Sequence, residues 1–303
     1  MRILITGGTG FIGARLCAVL REAGHQLVVY SRQPAGRVNA LCGEDVESLN
    51  SLDNLSAEEG IDAVINLAGE SIAAKRWTPE RKQQLLDSRL NTTQALLDAM
   101  AAMPKPPGCL INASAIGFYG DQGDRLVDED SQLGDLQSSD FGRELCQRWE
   151  QTALQAEALG VRVCIVRIGV VVGAGGGFLS KMLPPFKLGL GGQMGSGQQW
   201  MTWVHREDLI NIIIWLLEHP DCSGPYNATS PGAVRNKAFT KTLADALHRP
   251  ALLPMPSVVA KAMFGEMSQL LLTGQHVVPK RITDAGFEFK YPDLKSALSQ
   301  ALN

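Results

Sequence analysis

A glycine-rich run near the start of the chain has the spacing of a phosphate-binding turn. Residues 6–13 (TGGTGFIG) follow an apolar run at 3–6 and precede an amphipathic segment. In a strand–turn–helix unit, Gly7 permits the tight turn, Gly10 lets backbone amides approach a pyrophosphate, and Gly13 allows close helix–strand packing. The helix N-terminus adds unpaired amides and the positive end of its dipole. We therefore predict a dinucleotide site with phosphate contacts from Gly7, Thr9, Gly10, Phe11 and Ile12.

The residues after the second apolar run indicate which dinucleotide is bound. Dehydrogenases that select NAD place an acidic residue there to hold the ribose hydroxyls. Here the run 28–30 ends in Ser31 and Arg32, Arg37 follows, and there is no acid. A hydroxyl and guanidinium groups suit a 2′-phosphate, because arginine can bind phosphate bidentately. We predict NADP(H) as the cofactor, held by Ser31, Arg32 and Arg37; the alternative is that these arginines are merely solvated.

The third apolar run ends in a turn of small residues. Asn66 is followed by Leu67, Ala68, Gly69 and Glu70. Small residues here let the backbone approach the nicotinamide-side ribose and phosphate. The alternative is a glycine that only ends the strand and has no binding role, which would give the same pattern. Because the glycine run precedes it, we predict that this turn completes the cofactor site through Leu67, Ala68 and Gly69.

Strand and helix patterns that position these turns alternate along the first two-thirds of the chain. Short apolar runs predict strands over 3–6, 27–30, 63–66, 109–113 and 163–167. Their near-continuous apolarity indicates burial on both faces, typical of a parallel sheet covered by helices. Amphipathic segments predict helices from 11 to Gly24, from Thr78 to before Pro104, and from 138–140 to Gly160. We therefore predict an α/β fold with a doubly wound parallel sheet of the Rossmann type.

The chain changes character after residue 170. Residues 173–197 are rich in glycine and proline and are predicted to be too broken for regular core structure. Beyond them we predict helices over 207–218 and 236–247, a strand at 226–228 and a short strand over 287–291. We assign 1–170, with the returning strand at 226–228, to a dinucleotide-binding Rossmann core. Residues 171–303 then form a smaller C-terminal lobe that binds substrate.

Composition and charge exclude several classes of protein. The 303 residues are 45% apolar, and 28 basic against 31 acidic side chains give a net charge of −3. This balance argues against a nucleic-acid or membrane-surface partner, which needs a concentrated basic field. The chain shows no export signal or spanning segment, and its six scattered cysteines indicate reduced thiols rather than disulfides or a metal site. We expect a soluble, cytoplasmic protein without metal.

Four segments together resemble a known family. Residues 6–13, 66–69, 112–120 and 203–208 are similar to extended short-chain dehydrogenases/reductases of the nucleotide-sugar epimerase type. Residues 76–78, 88–89, 149–150 and 191–203, with the tail from 247, resemble its atypical "epimerase family" subgroup, once named for cell-division inhibitors and with plant relatives linked to plastid division. The resemblance covers essentially the whole chain. It implies a Rossmann sheet, a nucleotide cofactor, NADP by expectation, and a C-terminal lobe, but no particular substrate.

The sequence departs from that family at the catalytic pair. The enzymes carry Tyr-x-x-x-Lys on a helix, where lysine lowers the tyrosine pKa so that the phenol can pass a proton during hydride transfer. The corresponding helix here offers Phe141/Leu145 in one register and Gly142/Cys146 in the next. The string from Tyr291 to Lys295 contains Pro292 and is read as a chance match.

Two substitutes for the missing pair are predicted from the resemblance. Ser114 lies at or beside the position of the family's catalytic hydroxyl, which in another register is Ala115, and Tyr119 is a candidate proton donor. Arg89 stands near a pocket-organising asparagine of the family, or is a surface arginine. His205 either titrates in the site or forms structural hydrogen bonds.

Two functional hypotheses follow. The favoured one is an NADP(H)-dependent oxidoreductase or epimerase acting on an unidentified small molecule, with Ser114 orienting a substrate oxygen and Tyr119, His205 or water handling the proton. The alternative is a non-catalytic NADP(H)-binding protein that senses redox state or regulates a partner. The sequence does not indicate the substrate or the oligomeric state.

Overall fold

A computed structural model describes residues 1–55, 60–133 and 140–302. Its strands, in chain order, are β1 (Arg2–Thr6), β2 (Gln26–Tyr30), β3 (Glu47–Leu49), β4 (Ala63–Asn66), β5 (Cys109–Ala115), β6 (Leu126–Val127), β7 (Arg162–Ile168), β8 (Val170–Val172), β9 (Trp200–Met201), β10 (Trp203–His205), β11 (Gly224–Ala228), β12 (Val234–Arg235) and β13 (His276–Val277). The α-helices are α1 (Gly13–Glu22), α2 (Ala35–Cys42), α3 (Pro79–Ala102), α4 (Phe141–Leu154), α5 (Gly177–Lys187), α6 (Arg206–Glu218), α7 (Asn236–Ala246), α8 (Ser257–Phe264), α9 (Gln269–Leu272), α10 (Lys280–Asp284) and α11 (Leu294–Leu302).

Seven of these strands form one parallel sheet in the order β11-β7-β5-β4-β1-β2-β3. Alternate strand residues enter two different apolar clusters: Ile3 and Ile65 pack with α1 and α6, whereas Leu4 and Val64 pack with α3. Helices therefore cover both faces, as the apolar runs predicted, and the predicted doubly wound α/β sheet is confirmed. The order reverses between β1 and β4, so their carboxyl ends open the crevice where such sheets bind ligands.

Local signals in the sequence account for the helix boundaries. Thr78 caps α3 by accepting a hydrogen bond from the Arg81 amide, with proline at the first helical position. Asp140 caps α4 in the same way; the earlier part of its predicted start, 138–139, lies outside the described residues. The short edge strand β3 and the helix α2 were not predicted, because three strand residues and two helical turns give little periodic signal.

The prediction that residues 173–197 lack regular structure was wrong. Helix α5 occupies Gly177–Lys187 and contains both Pro184 and Pro185. Its face of Leu179, Met182 and Phe186 is buried in a cluster with Trp203 and Phe239. This apolar burial outweighs the loss of the two proline amide donors.

The predicted strand over 287–291 was also wrong, because the segment has no strand pairing in the structure. Its end is held by Asp208, which is buried at the start of α6 and accepts from the amides of Lys290 at 2.8 Å and Tyr291 at 2.9 Å. A side-chain carboxylate thus replaces a ladder partner.

The remaining strands form two-stranded ribbons beside the main sheet: β8 with β10, β9 with β12, and β6 with β13. The boundary at residue 170 stays a prediction. The six cysteines are buried and free, as predicted. Within the described parts of the chain, no helix is both long and apolar enough to cross a bilayer, and no cluster of metal-ligating side chains is present.

Candidate functional site

The glycine turn at the end of β1 has the close backbone approaches that its spacing requires. Gly7 has φ of 71°, and a Cβ there would lie 2.6 Å from the Leu67 carbonyl oxygen. A Cβ at Gly13 would lie 2.2 Å from the Gly7 carbonyl oxygen, so only glycine allows α1 to begin this close to the turn. The Ala14 amide bonds the Gly10 carbonyl at 2.9 Å, which starts the helix directly behind the turn.

A buried row of polar side chains aligns the strand ends beneath this turn. The Thr6 hydroxyl donates to Oδ1 of the Asn66 side chain at 2.6 Å, and Nδ2 of Asn66 donates to the Thr93 hydroxyl at 2.9 Å and to Oδ1 of Asn112 at 2.6 Å. The row crosses β1, β4 and β5 and reaches α3, with every member buried. Because each group has a partner, the row fixes the relative positions of the three strand ends.

A cleft of about 790 Å³ opens above these strand ends. Most residues predicted to bind the cofactor line it: Gly7, Thr9, Gly10, Ser31, Arg32, Leu67, Ala68 and Gly69. Phe11, Ile12 and Arg37 do not line this cleft. Ile12 precedes the first residue of α1, and Arg37 is exposed on α2.

Phe11 instead joins the glycine turn to the C-terminal part of the chain. A Cβ at Gly176 would lie 2.4 Å from Phe11 Cδ2, and one at Gly177 would lie 2.9 Å from Cε1. The guanidinium of Arg206, the first residue of α6, lies 4.8 Å from the centroid of the Phe11 ring. The glycine run after β8 thus accommodates this aromatic ring, a role that its composition did not indicate.

Arg32 forms an ion pair across the cleft with Glu70, which was not predicted to be a site residue. Its guanidinium lies 3.1 Å from Glu70, and the same carboxylate lies 3.4 Å from Arg81. Hydrogen bonding from Arg32, together with Arg81, lowers the pKa of Glu70. The Arg32 side chain is 86% exposed, so it is free to exchange Glu70 for another anion.

Arg89 on α3 supports the turn after β4. It donates to the Leu85 carbonyl at 3.0 Å and to the Glu70 carbonyl at 3.1 Å. A Cβ at Gly69 would lie 2.8 Å from Arg89 Cζ, and burial lowers the pKa of this arginine. The sequence left open whether Arg89 organises the pocket or is a surface arginine. Its burial and its hydrogen bond to the turn exclude a surface arginine.

Ser114 and Tyr119 belong to one buried network with two charged residues. Ser114 donates to Glu150 at 2.6 Å, and Arg167 binds both Glu150 oxygens at 3.0 and 2.9 Å. Arg167 also donates to the Tyr119 hydroxyl at 3.1 Å, which in turn donates to Asn227 at 2.8 Å. Ser114 is 3% exposed and Tyr119 1%.

Burial raises the pKa of Tyr119 to about 12, although Arg167 acts in the opposite direction. For Arg167 itself, burial lowers the pKa, and the hydrogen bonds and charge of Glu150 more than restore it, so that it is raised. No lysine stands beside the phenol to promote its ionisation, among the partners that the structure describes.

The two registers of the missing catalytic pair lie on different faces of α4. Phe141 packs against Trp77 with ring centroids 5.1 Å apart, and Leu145 lies in the same apolar cluster. Cys146 lies on the other face, beside Gly117 and close to Ser114. The face towards β5 therefore carries Gly142, Cys146 and Glu150. Burial raises the pKa of Cys146 to about 11, so its thiol is protonated at neutral pH.

His205 lies in a structural environment at the start of α6. It accepts a hydrogen bond from the Glu207 amide, its other ring nitrogen is 2.8 Å from Gln300, and its ring lies 4.0 Å from that of Tyr291. Burial lowers its pKa, which favours a neutral ring. Tyr291 itself precedes α11, so the string from Tyr291 to Lys295 is not a one-turn helical pair.

Sequence reasoning missed Glu150, Arg167 and Asn227. A usable signal existed for the first two. Arg167 places a charge in an otherwise apolar strand, and Glu150 lies one helical turn after Cys146. Buried charges are rare unless paired, so each predicts the other. Asn227, Glu70 and Arg81 have no comparable signal, because only the tertiary structure brings them to the site.

The fold and the glycine turn together define a dinucleotide-binding Rossmann protein. Two family models match the chain: the NAD dependent epimerase/dehydratase family over residues 3–229, and a domain of unknown function, DUF1731, over residues 255–301. The chain belongs to this epimerase family, as its motifs predicted.

Relatives and a solved structure match over nearly full length. Epimerase family protein SDR39U1 of Bos taurus is 39% identical, covering all of both chains, and YfhF of Bacillus subtilis is 38% identical, covering all of this chain and 98% of its own. The crystal structure of human epimerase family protein SDR39U1 (isoform 2) with NADPH superposes with a TM-score of 0.87 at 36% identity, covering 99% of each chain.

Proposed function

We propose that this chain binds NADP(H) and acts as an oxidoreductase or epimerase on a small molecule. The observation that carries the proposal is the cleft of about 790 Å³ formed by the glycine turn, the Ser31–Arg32 pair and the turn after β4. Among the described residues, a Cβ at Gly10 would meet one atom within 4 Å, the Gly7 carbonyl oxygen at 3.2 Å, so the turn is otherwise uncrowded at this position. The human relative crystallised with NADPH supports the choice of cofactor.

In this proposal the chain's residues hold the cofactor at three points. The first-turn amides of α1 and Thr9 face the pyrophosphate, Arg32 and Ser31 bind the 2′-phosphate, and Leu67–Gly69 contact the nicotinamide-side ribose. The nicotinamide supplies hydride transfer when bound.

Ser114 is proposed to orient a substrate oxygen. In this proposal the Ser114 oxygen, whose hydrogen goes to Glu150, accepts a hydrogen bond from a substrate hydroxyl. Tyr119 donates its hydrogen to Asn227 and has a pKa raised to about 12, and His205 is occupied by Gln300 and the Glu207 amide. Of the three proton carriers considered, we therefore propose water.

The experiment has two stages. Calorimetric titration with NADPH and NADH comes first; preference for NADPH by about tenfold or more is expected, and equal affinity or preference for NADH contradicts the assignment. Absorbance of NADPH is then followed with aldehydes, ketones, quinones and sugar nucleotides. Turnover that is lost in Ser114→Ala with cofactor binding retained supports the enzyme.

A second function is favoured by one specific observation. The helix face towards β5 carries Gly142, Cys146 and Glu150, and neither register of α4 offers a Tyr-x-x-x-Lys pair. Tight NADPH binding with unchanged absorbance across the whole substrate panel favours a redox-sensing or regulatory protein. That outcome leaves the cofactor assignment standing and removes the net oxidoreductase activity; a redox-neutral epimerase, which regenerates its coenzyme, is tested by chromatography of the sugar nucleotides after incubation with the protein and NADP⁺.

A further inference from the structure

Exposed apolar side chains are concentrated in one part of the surface. Of the eleven large apolar side chains that are exposed among the described residues, eight lie between 188 and 270. The most exposed are Leu252 at 79%, Val258 at 75% and Leu188 at 74%. We call the apolar surface the set Leu188, Leu190, Leu252, Leu253, Val258 and Met263.

The two segments that carry this apolar surface lie side by side. The Leu253 amide donates to the Gly191 carbonyl at 3.2 Å, and the Met255 amide donates to that of Gln193 at 2.9 Å. Arg249 donates to the Lys187 carbonyl at 3.1 Å. Helix α8, which carries Val258 and Met263, begins directly after this pairing, so the six side chains belong to adjoining segments of the chain. Contiguous exposed patches of this kind mark interaction sites.

The same two segments carry only positive charge. Residues 178–199 and 246–265 contain Lys181, Lys187, Arg249 and Lys261 but no Asp or Glu. The acids just beyond the second segment are neutralised locally, because Asp245 pairs with Lys241 at 2.9 Å and Glu266 with Lys82 at 2.5 Å. The whole-chain charge of −3 therefore averages over a segregated basic region, which the composition did not reveal.

We propose that the apolar surface docks on an anionic lipid bilayer. Projecting aliphatic side chains bordered by lysine and arginine enter the headgroup boundary while the cations contact anionic lipid. A second copy of the chain is disfavoured, because a two-fold contact would bring the basic residues of both copies together. A protein partner is disfavoured because protein interfaces are enriched in aromatic residues and depleted of lysine, the opposite of this surface.

Vesicle co-sedimentation tests the proposal with the intact chain. Vesicles of phosphatidylcholine alone are compared with vesicles of three parts phosphatidylcholine to one part phosphatidylglycerol. We expect at least about tenfold stronger binding to the anionic vesicles, weakening with added salt. The double variant Lys187→Gln/Lys261→Gln should lose about tenfold or more, since each cation contributes about fivefold.

A second double variant and two single-residue controls separate the apolar contribution from misfolding. Leu252→Glu with Val258→Glu should abolish vesicle binding with an unchanged circular dichroism melting midpoint, because both side chains are already exposed. Leu154→Glu, an exposed leucine on α4, and Lys105→Gln, an exposed lysine before β5, are matched controls that should bind normally.

Three outcomes overturn the proposal. The first is equal binding, or none, to the two kinds of vesicle. The second is vesicle binding that survives the Leu252→Glu/Val258→Glu change. The third is a dimer in sedimentation velocity that this same variant dissociates while no vesicle binding occurs, which assigns the surface to a second copy.

Discussion

Ser114 on β5 donates its hydroxyl hydrogen to Glu150 on α4 at 2.6 Å. Arg167, whose Cα pairs with that of Ser114 across β5 and β7, holds the same carboxylate at two points. The serine that we propose to contact substrate is thus oriented by a buried ion pair. Its oxygen remains able to accept a hydrogen bond, which is what the proposed substrate contact requires.

Removing Glu150 should destabilise the fold strongly. Glu150→Ala leaves the Arg167 guanidinium buried without a counter-charge, which costs about 3 to 5 kcal/mol. Glu144→Ala is the matched control on the same helix, because Glu144 pairs with Arg148 in solvent and its loss costs less than about 1 kcal/mol. Urea unfolding gives both values. Equal losses in the two variants would mean that the buried pair has no special role.

Substitutions of Arg32 and of Glu70 should change the affinity for NADPH in opposite directions. Arg32→Gln removes the proposed 2′-phosphate ligand and should weaken NADPH binding about tenfold to hundredfold, the worth of a charged hydrogen bond, with NADH unaffected. Glu70→Gln removes the anion that occupies Arg32 at 3.1 Å and should strengthen NADPH binding by several-fold. Calorimetry with both coenzymes measures the effect. Parallel weakening in both variants contradicts competition between Glu70 and phosphate.

Gly13→Ala should disrupt the glycine turn. Its Cβ would lie 2.2 Å from the Gly7 carbonyl oxygen and 2.7 Å from Gly8 Cα, and backbone cannot move aside as a flexible side chain can. We expect loss of NADPH binding and a lower melting midpoint. Gly36→Ala in α2 meets nothing within 4 Å and should be neutral or stabilising by up to about 1 kcal/mol. A normal affinity in Gly13→Ala would contradict the close approach.

Tyr119 should contribute to loss of stability at alkaline pH. Its pKa is about 12 in the folded chain against an ordinary value of 10, so its contribution is complete below about pH 10 and is lost as the pH rises through about 12. A shift of this size corresponds to roughly 3 kcal/mol. The free energy of unfolding should decrease as the pH rises from 10 to 12. In Tyr119→Phe this decrease should be shallower, by the amount that corresponds to about one proton. Denaturant unfolding at a series of pH values measures this slope. An unchanged slope in Tyr119→Phe would show that ionisation of Tyr119 does not cause the loss of stability.

Local patterns allowed much of the cofactor half of the site to be predicted. The glycine turn, the small residues after β4 and the Ser31–Arg32 pair each depend on a few consecutive residues, and all line one cleft. Arg37 and Phe11 show the limit of this reasoning. Residues 30–33 and Gly10 line the cleft, but helix α2 exposes Arg37, and the glycine run after β8 receives the Phe11 ring.

The errors in the C-terminal part have a common cause. Glycine and proline content led to the expectation that residues 173–197 are irregular, yet α5 forms because its apolar face is buried against Trp203 and Phe239. The segment 287–291 has apolar residues at strand spacing, but Asp208 takes two of the segment's backbone amides. In both cases a partner distant in sequence decides the local structure.

The sequence by itself determined the parallel Rossmann sheet, the family and the position of the phosphate-binding turn, because these depend on apolar periodicity and on glycines a few residues apart. Only the tertiary structure decided which face of α4 meets Ser114, which carboxylate faces Arg32, and that the segments 178–199 and 246–265 lie side by side. Such pairings join residues 36 or more positions apart. Burial and hydrogen bonding between such distant residues produce no periodic pattern in the sequence.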